Sequence, residues 1–163
     1  MTEGDETAAQ KAALRAVLLR KLRMMTGEDR AERSGLICRT ILGSEAWQKA
    51  GRVLLFSPIR TEPDISPLQS AAVEAGKALA VIPATAREES KLALPFAPDF
   101  ILVPGLAFSR GGHRLGRGGG FYDRLLAGRA KDALKLGTCF SLQLVDAIPA
   151  EAHDVILDAI ISD

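Results

Sequence analysis

The sequence predicts an α/β protein whose mainly parallel sheet carries helices on both faces. Three observations lead there. Five short apolar runs recur, at Val53–Phe56, Ala78–Ile82, Phe100–Val103, Leu136–Phe140 and Val155–Ile161, each of strand length and too continuously apolar for a strand with one wet face. Between them lie stretches with apolar residues at three- and four-residue steps, the alternation expected of parallel strands joined by crossover helices. The chain has 163 residues, 47% apolar and 25% charged, enough to bury one core.

Taken in order, residues 1–7 read as a polar acidic tail, frayed at the terminus. A helix follows over about Thr7–Met25, with Leu14, Val17, Leu18, Leu22 and Met25 inward and Lys11, Arg15, Arg20, Lys21 and Arg23 as polar partners. Thr26 is placed to cap a second helix over Glu28–Leu42, with Ala31, Leu36, Ile37, Ile41 and Leu42 inward and Gly43 as its stop. Residues 44–50 fit a short helix in which Trp47 is a packing residue. The strand Val53–Phe56 closes at Ser57-Pro58, and residues 59–65 lead into a helix over Ser66–Ala75. Beyond the strand Ala78–Ile82, ended by Pro83, a connection over 84–98 reaches Phe100–Val103, itself ended by Pro104-Gly105. A glycine-rich loop then runs into a helix from Phe121 to about Ala133. The strand Leu136–Phe140, a loop through Pro149 and the strand Val155–Ile161 complete the chain. No repeat, low-complexity tract or linker interrupts it, so residues 1–163 read as a single domain.

The formal net charge is +1, so no global field draws the chain to nucleic acid or to an anionic membrane, and any anion site must be local. Cys38 and Cys139 are far apart and lack metal-ligand spacing; they read as buried thiols in a reducing compartment. The start has neither the basic region nor the apolar core of a signal peptide, and no apolar run approaches the roughly 18 residues of a membrane span. The expected location is the cytoplasm. His113 and His153 are too few and too separated for a zinc site.

The stretch that carries chemistry is Arg114-Leu-Gly-Arg-Gly-Gly-Gly-Phe-Tyr-Asp-Arg124, one short loop after Leu102-Val-Pro-Gly-Leu-Ala-Phe108. Strand, glycine loop, helix is an arrangement that holds phosphate: glycines allow positive φ and close backbone approach, and successive amides form an anion nest. Arg114 and Arg117 are placed to neutralise phosphate oxygens by bidentate hydrogen bonds. Neither the Walker nor the dinucleotide fingerprint is present, and by composition alone a flexible surface turn would look the same. Lys11 and Arg15 are four apart and share a helix face. Glu62 follows a central strand at its C-terminal end, the edge where open α/β sheets assemble their sites, though a loop acid is as often a solvent-facing one.

Set together, these strings resemble the signature of the 5-formyltetrahydrofolate cyclo-ligases, also called methenyltetrahydrofolate synthetases. The resemblance covers the opening helix, through Lys11-Ala-Ala-Leu-Arg15; the segment Ser57-Pro-Ile-Arg-Thr-Glu-Pro-Asp64; the glycine loop; and His153-Asp154. It implies a three-layer α/β/α fold like that of the ribose-phosphate isomerase and coenzyme A transferase group. It also implies ATP- and magnesium-dependent closure of 5-formyltetrahydrofolate to the 5,10-methenyl form. Lys11, Arg15 and the loop Arg114, Leu115, Gly116, Arg117, Gly118, Gly119, Gly120, Phe121 and Tyr122 would then hold ATP, with Arg114 and Arg117 also serving catalysis. Ser57, Glu62 and Tyr122 would meet the folate, although a core tyrosine would read identically. Asp123 and Asp154 would hold magnesium, their ordinary roles being a first-turn acid and a turn cap. Gln143 matches a family glutamine or is an ordinary loop amide. The family carries a much longer connection where this chain has 84–98, so either the folate pocket is cut down or the sequence lacks a stretch that the family has there. A nucleotide-binding module without folate turnover and a phosphosugar isomerase are the competing readings, the latter on fold analogy alone. A monomer or weak dimer is expected, with no nucleic-acid or membrane partner.

Overall fold

A computed structural model describes all 163 residues. Its first element, α1 (Glu3–Met24), starts earlier than the sequence pattern suggests. Thr2 accepts a hydrogen bond from the Asp5 amide while the Asp5 carboxylate accepts from the Thr2 amide, a reciprocal cap that turns the expected frayed tail into helix. Leu18 and Leu22 are buried, whereas Val17 is 42% exposed and not a core residue. Next come α2 (Gly27–Leu42), capped by Thr26 and ended at Gly43 as expected, and the short α3 (Glu45–Lys49) with Trp47 buried against Phe100. The inward face of α2 is Ser34, Ile37, Cys38 and Ile41; Ala31 and Leu36 face out.

The strand β1 (Arg52–Phe56), α4 (Ser66–Glu74), β2 (Ala78–Ile82), β3 (Phe100–Val103), a ribbon of β4 (Ala107–Phe108) and β5 (Arg114–Leu115), α5 (Phe121–Ala127), β6 (Leu134–Cys139) and β7 (Ala159–Ser162) follow. Five strands form one parallel sheet in the order β2-β1-β3-β6-β7. From β1 the chain steps outward through α4 to β2; from β3 it steps the other way through α5 to β6. Right-handed crossovers in opposite directions put α4 and α5 on opposite faces, and α2 packs with α4 and β7. This is the predicted α/β architecture. One cluster of 34 buried hydrophobic residues fills it, with β3 buried along its whole length. No helix is long and apolar enough to cross a membrane.

The strand expected over Leu136–Phe140 lies slightly earlier, at Leu134–Cys139, and two further boundaries differ by four residues or more. The helix from Phe121 ends at Ala127, where Gly128 departs from helical φ/ψ and both Gly128 and Ala130 amides fold back to the Leu125 carbonyl. The last strand begins at Ala159, because Asp158 sets its start: its amide donates to the Lys135 carbonyl and its carboxylate accepts from the Lys135 amide. Val155–Leu157 instead lie against the loop after β4, with the Leu157 amide on the Gly112 carbonyl. The antiparallel ribbon was not anticipated.

Candidate active site

The C-terminal ends of β1, β2 and β3 open into one cavity of about 760 Å³, within the range of small-molecule sites. Its lining includes every residue the resemblance assigns to ATP, folate or magnesium: Lys11 and Arg15 from α1, Ser57 and Glu62 after β1, residues 114–123, and Asp154. Gly118 (φ +110°) and Gly120 (φ +72°) occupy the left-handed half of backbone space, so the loop's path into α5 requires residues without a Cβ at these two points.

Arg15 crosses to the glycine loop, its Nε donating to the Gly116 carbonyl at 2.8 Å. Arg114 lies beneath the loop with 9% of its side chain exposed; its Nε donates to the Pro104 carbonyl at 2.6 Å and its guanidinium stacks 5.0 Å from the Tyr122 ring centre. Burial holds its pKa below the usual arginine value, opposed by Asp123, 3.7 Å away, then by Tyr122, Glu62 and Asp154; a guanidinium stays charged under such a bias. Burial also pushes the Tyr122 phenol up. Arg117 leaves the loop for the opposite wall, where its Nη2 donates to Thr61 Oγ1 at 2.9 Å and lies 4.0 Å from Glu62 Oε2. It therefore bridges the loop and the segment after β1.

Glu62 is 7% exposed, and its Oε1 accepts from the Ile59 amide at 3.0 Å. Desolvation raises its pKa, against the opposing pull of that hydrogen bond, Arg117, Arg114 and Arg30. Arg30, which the sequence left as an unremarked residue of α2, holds this segment in place: its Nε donates to the Glu62 carbonyl at 2.9 Å and its Nη2 to the Ile59 carbonyl at 3.2 Å. Ser34 and Cys38 contact the same segment, at the Asp64 amide and carbonyl. Thr61 and Arg30 had no sequence signal, since their partners lie in segments distant along the chain.

Gln143 is 1% exposed and structural. It donates to the Gly105 and Leu106 carbonyls and accepts from the Phe140 amide, tying the turn after β3 to the end of β6. Asp154 Oδ2 accepts from the Glu151 amide at 2.8 Å, the turn cap expected of it. Asp123 and Asp154 line the same cavity as the four cations and the glycine loop; magnesium on nucleotide phosphates needs only one or two carboxylates, with phosphate oxygens and water completing its shell. The 84–98 connection forms a short 3₁₀ turn at Glu89–Lys91 and is fastened to α5 by Arg124 on Glu89 and to the turn after α5 by Arg129 on the carbonyls of Glu89, Leu92 and Leu94. Ala84, Ala86 and Arg87 thereby wall the cavity.

The sequence profile of the 5-formyltetrahydrofolate cyclo-ligase family matches residues 7–96 and 82–163, two segments that overlap at the shortened connection. The mouse 5-formyltetrahydrofolate cyclo-ligase is 24% identical over 189 positions, covering 93% of this chain and 92% of that one. Those positions outnumber the 163 residues here, so the relative has residues without a counterpart in this chain. The Mycolicibacterium smegmatis enzyme of the same name is 48% identical over 64 residues, 39% of this chain and 33% of that protein. Among solved structures, the Aquifex aeolicus 5,10-methenyltetrahydrofolate synthetase superposes with a TM-score of 0.78 at 29% identity over 93% of this chain and 89% of that one. The Mycoplasma pneumoniae synthetase gives 0.76 at 23% over 94% and 98%, a likeness of fold. With a profile match running from the opening helix to the last strand, the chain belongs to the 5-formyltetrahydrofolate cyclo-ligase family, a family of ligases.

Proposed function

We propose that this protein closes 5-formyltetrahydrofolate to 5,10-methenyltetrahydrofolate with ATP and magnesium, releasing ADP and phosphate, in the cytoplasm and as a monomer or weak dimer. The observation that supports it most is the single cavity in which Lys11, Arg15, Arg114 and Arg117 converge with a glycine loop on one side and the buried Glu62 on the other. A formamide oxygen does not leave as hydroxide at neutral pH. Transfer of the γ-phosphoryl group to that oxygen makes it a phosphate leaving group; the second folate nitrogen then attacks the former formyl carbon, and the C–O bond breaks as phosphate departs with that oxygen. The protein's share is positioning and charge neutralisation. Lys11, Arg15 and Arg114 take phosphate oxygens, the amides of residues 115–122 line the triphosphate, and Tyr122 and Ser57 bound the folate. Arg117 lies between the two substrates. Glu62 contacts the folate and accepts the proton that the attacking nitrogen gives up, a role suited to a raised carboxylate pKa. Asp123 and Asp154 would hold magnesium, which supplies charge neutralisation on the phosphates.

The direct test mixes protein, 5-formyltetrahydrofolate, ATP and magnesium and follows methenyl absorbance and ADP together. Both are expected to appear in equal amounts. Nucleotide binding with no methenyl product would assign the chain to the alternative, a nucleotide-binding module whose short 84–98 connection has cost it the folate.

Arg117→Ala is expected to raise the ATP concentration needed for half-maximal rate by at least tenfold, the loss of roughly 1.4 kcal/mol or more of charge-assisted bonding. Its side chain is 39% exposed, so the melting temperature should move little. An unchanged ATP requirement removes Arg117 from the site.

A further inference from the structure

Glu151 has no part in the reaction just described, yet it occupies one of that reaction's cations. The chain leaves the core at the buried Ile148 and returns at the buried Leu157; residues 150–153 between them are exposed. This arch runs along the cavity edge, and its tip is closed on itself by two hydrogen bonds, Glu151 amide to Asp154 Oδ2 and Asp154 amide to the Glu151 carbonyl. From that tip the Glu151 side chain reaches α1, where Lys11 Nζ donates to Oε1 at 3.0 Å; Asp154 Oδ2 lies 3.9 Å from the same ammonium. The Lys11 side chain is 14% exposed and that of Glu151 41%. His153 Nε2 lies 3.3 Å from Glu151 Oε2 and 3.5 Å from Asp154 Oδ1. A cavity-facing cation is thus already matched by a carboxylate that solvent reaches, whose other near neighbour is an exposed imidazole. Resting on the function proposed above, we propose that Glu151 is an internal counter-anion for Lys11, which an incoming triphosphate displaces.

Two physical consequences follow from that arrangement. A nucleotide gains the attraction of Lys11 only by exchanging one anion for another, and it approaches a site in which Glu151 repels it. Glu151 therefore sets nucleotide affinity through Lys11, as a positioning residue and not a catalytic one. The exchange is between exposed or half-exposed charges, so its effect is modest and screened by salt.

The test is equilibrium titration of the full-length protein with ATP in the presence of magnesium, for the unmodified chain, Glu151→Gln, Lys11→Met and the double variant, at low and at high ionic strength. Glu151→Gln is expected to bind ATP about three- to tenfold more tightly at low salt, with the gain shrinking as salt is added. In the Lys11→Met background the same change should leave affinity within about twofold. Unchanged affinity in Glu151→Gln overturns the proposal, as does a gain that persists without Lys11. Weaker binding together with a higher magnesium requirement overturns it too, and makes Glu151 a metal ligand. Failure of the unmodified chain to bind ATP strikes the proposed function itself, whereas binding that ignores Glu151 strikes this inference alone.

Discussion

Glu62 shows at the scale of one residue how a buried carboxylate is set against stability. Its folded-state pKa is raised by burial, so its protonated form is the one the fold favours. The corresponding stabilisation is full below the ordinary glutamate pKa and is lost as pH rises through the raised value, leaving a buried charge at neutral pH. Glu62→Gln is therefore expected to raise the melting temperature at pH 7, by about 2–4 °C for each kcal/mol recovered, and to leave it nearly unchanged near pH 4. The amide oxygen can still accept from Ile59. In turnover, the acid-side fall of kcat/KM for the folate should have a midpoint above the usual carboxylate range, and the substitution should abolish turnover. Thermal unfolding at the two pH values checks the first half; a lower melting temperature at pH 7 would mean that Arg30, Arg114 and Arg117 outweigh desolvation. The two cysteines illustrate the same desolvation with no function attached. Burial pushes the Cys38 thiol up to about 11 and the Cys139 thiol to about 12, so neither supplies thiolate near pH 8. Titration with a thiol reagent under native conditions should find fewer than about 0.1 reactive groups per chain, and two after denaturation.

At the scale of elements, what the sequence revealed depended on whether the cause was local. The Thr26 cap and Gly43 stop of α2 were legible because a cap needs only its own turn. On α2, Ile37 and Ile41 are buried and Leu42 packs at the core margin as expected, but Ser34 and Cys38 take the places given to Ala31 and Leu36; the stripe includes a serine whose hydroxyl accepts from the Asp64 amide, which hydrophobicity alone does not select. The start of α1 was missed for the same reason, an acidic string being judged by polarity and not by its Thr2–Asp5 cap. The candidate site residues come from compact motifs, and the structure gathers them in one cavity. Arg30 and Thr61 act across 32 and 56 residues of chain, a relation no local pattern contains. The 84–98 connection walls the cavity on the side the proposed function gives to the folate, and two arginines hold it, Arg124 on the Glu89 carboxylate and Arg129 on three backbone carbonyls. Arg129→Met is expected to increase amide hydrogen exchange over 86–96 by at least tenfold and to raise KM for the folate several-fold more than KM for ATP, since each lost charged hydrogen bond is worth about 1.5–3 kcal/mol before solvent exposure reduces it. Equal changes in the two constants would show that this wall belongs to the nucleotide side.

Across the whole molecule, the core and the site draw on α1 in different places. The buried residues of α1 are Leu18 and Leu22, near its C-terminal end, with Leu14 packed at the margin. None of residues 3–13 is fully buried; they meet the rest of the fold through Lys11, whose side chain is 14% exposed on the arch at Glu151, and through Ala8 at the cavity edge. A helix extended for several turns beyond its packed part gains little stability from propensity alone, so its retention points to the cavity it borders. Nucleotide that binds the folded chain and not the unfolded one stabilises by about 2.7 kcal/mol at a hundred times its Kd, a rise of roughly 5–11 °C at this chain length. Deleting residues 1–13 should leave the ligand-free melting temperature within about 3 °C of the intact protein, because Leu14, Arg15 and the core contacts remain. The rise produced by ATP and magnesium at the same concentration should fall to less than half, because Lys11 is gone and the cavity has lost one side. Scanning calorimetry with and without nucleotide reads both numbers on the same samples. A large loss of ligand-free stability would place the first three turns among the elements that hold the sheet together, and an undiminished nucleotide shift would mean that the triphosphate is held by the glycine loop and Arg15 without the help of the opening turns.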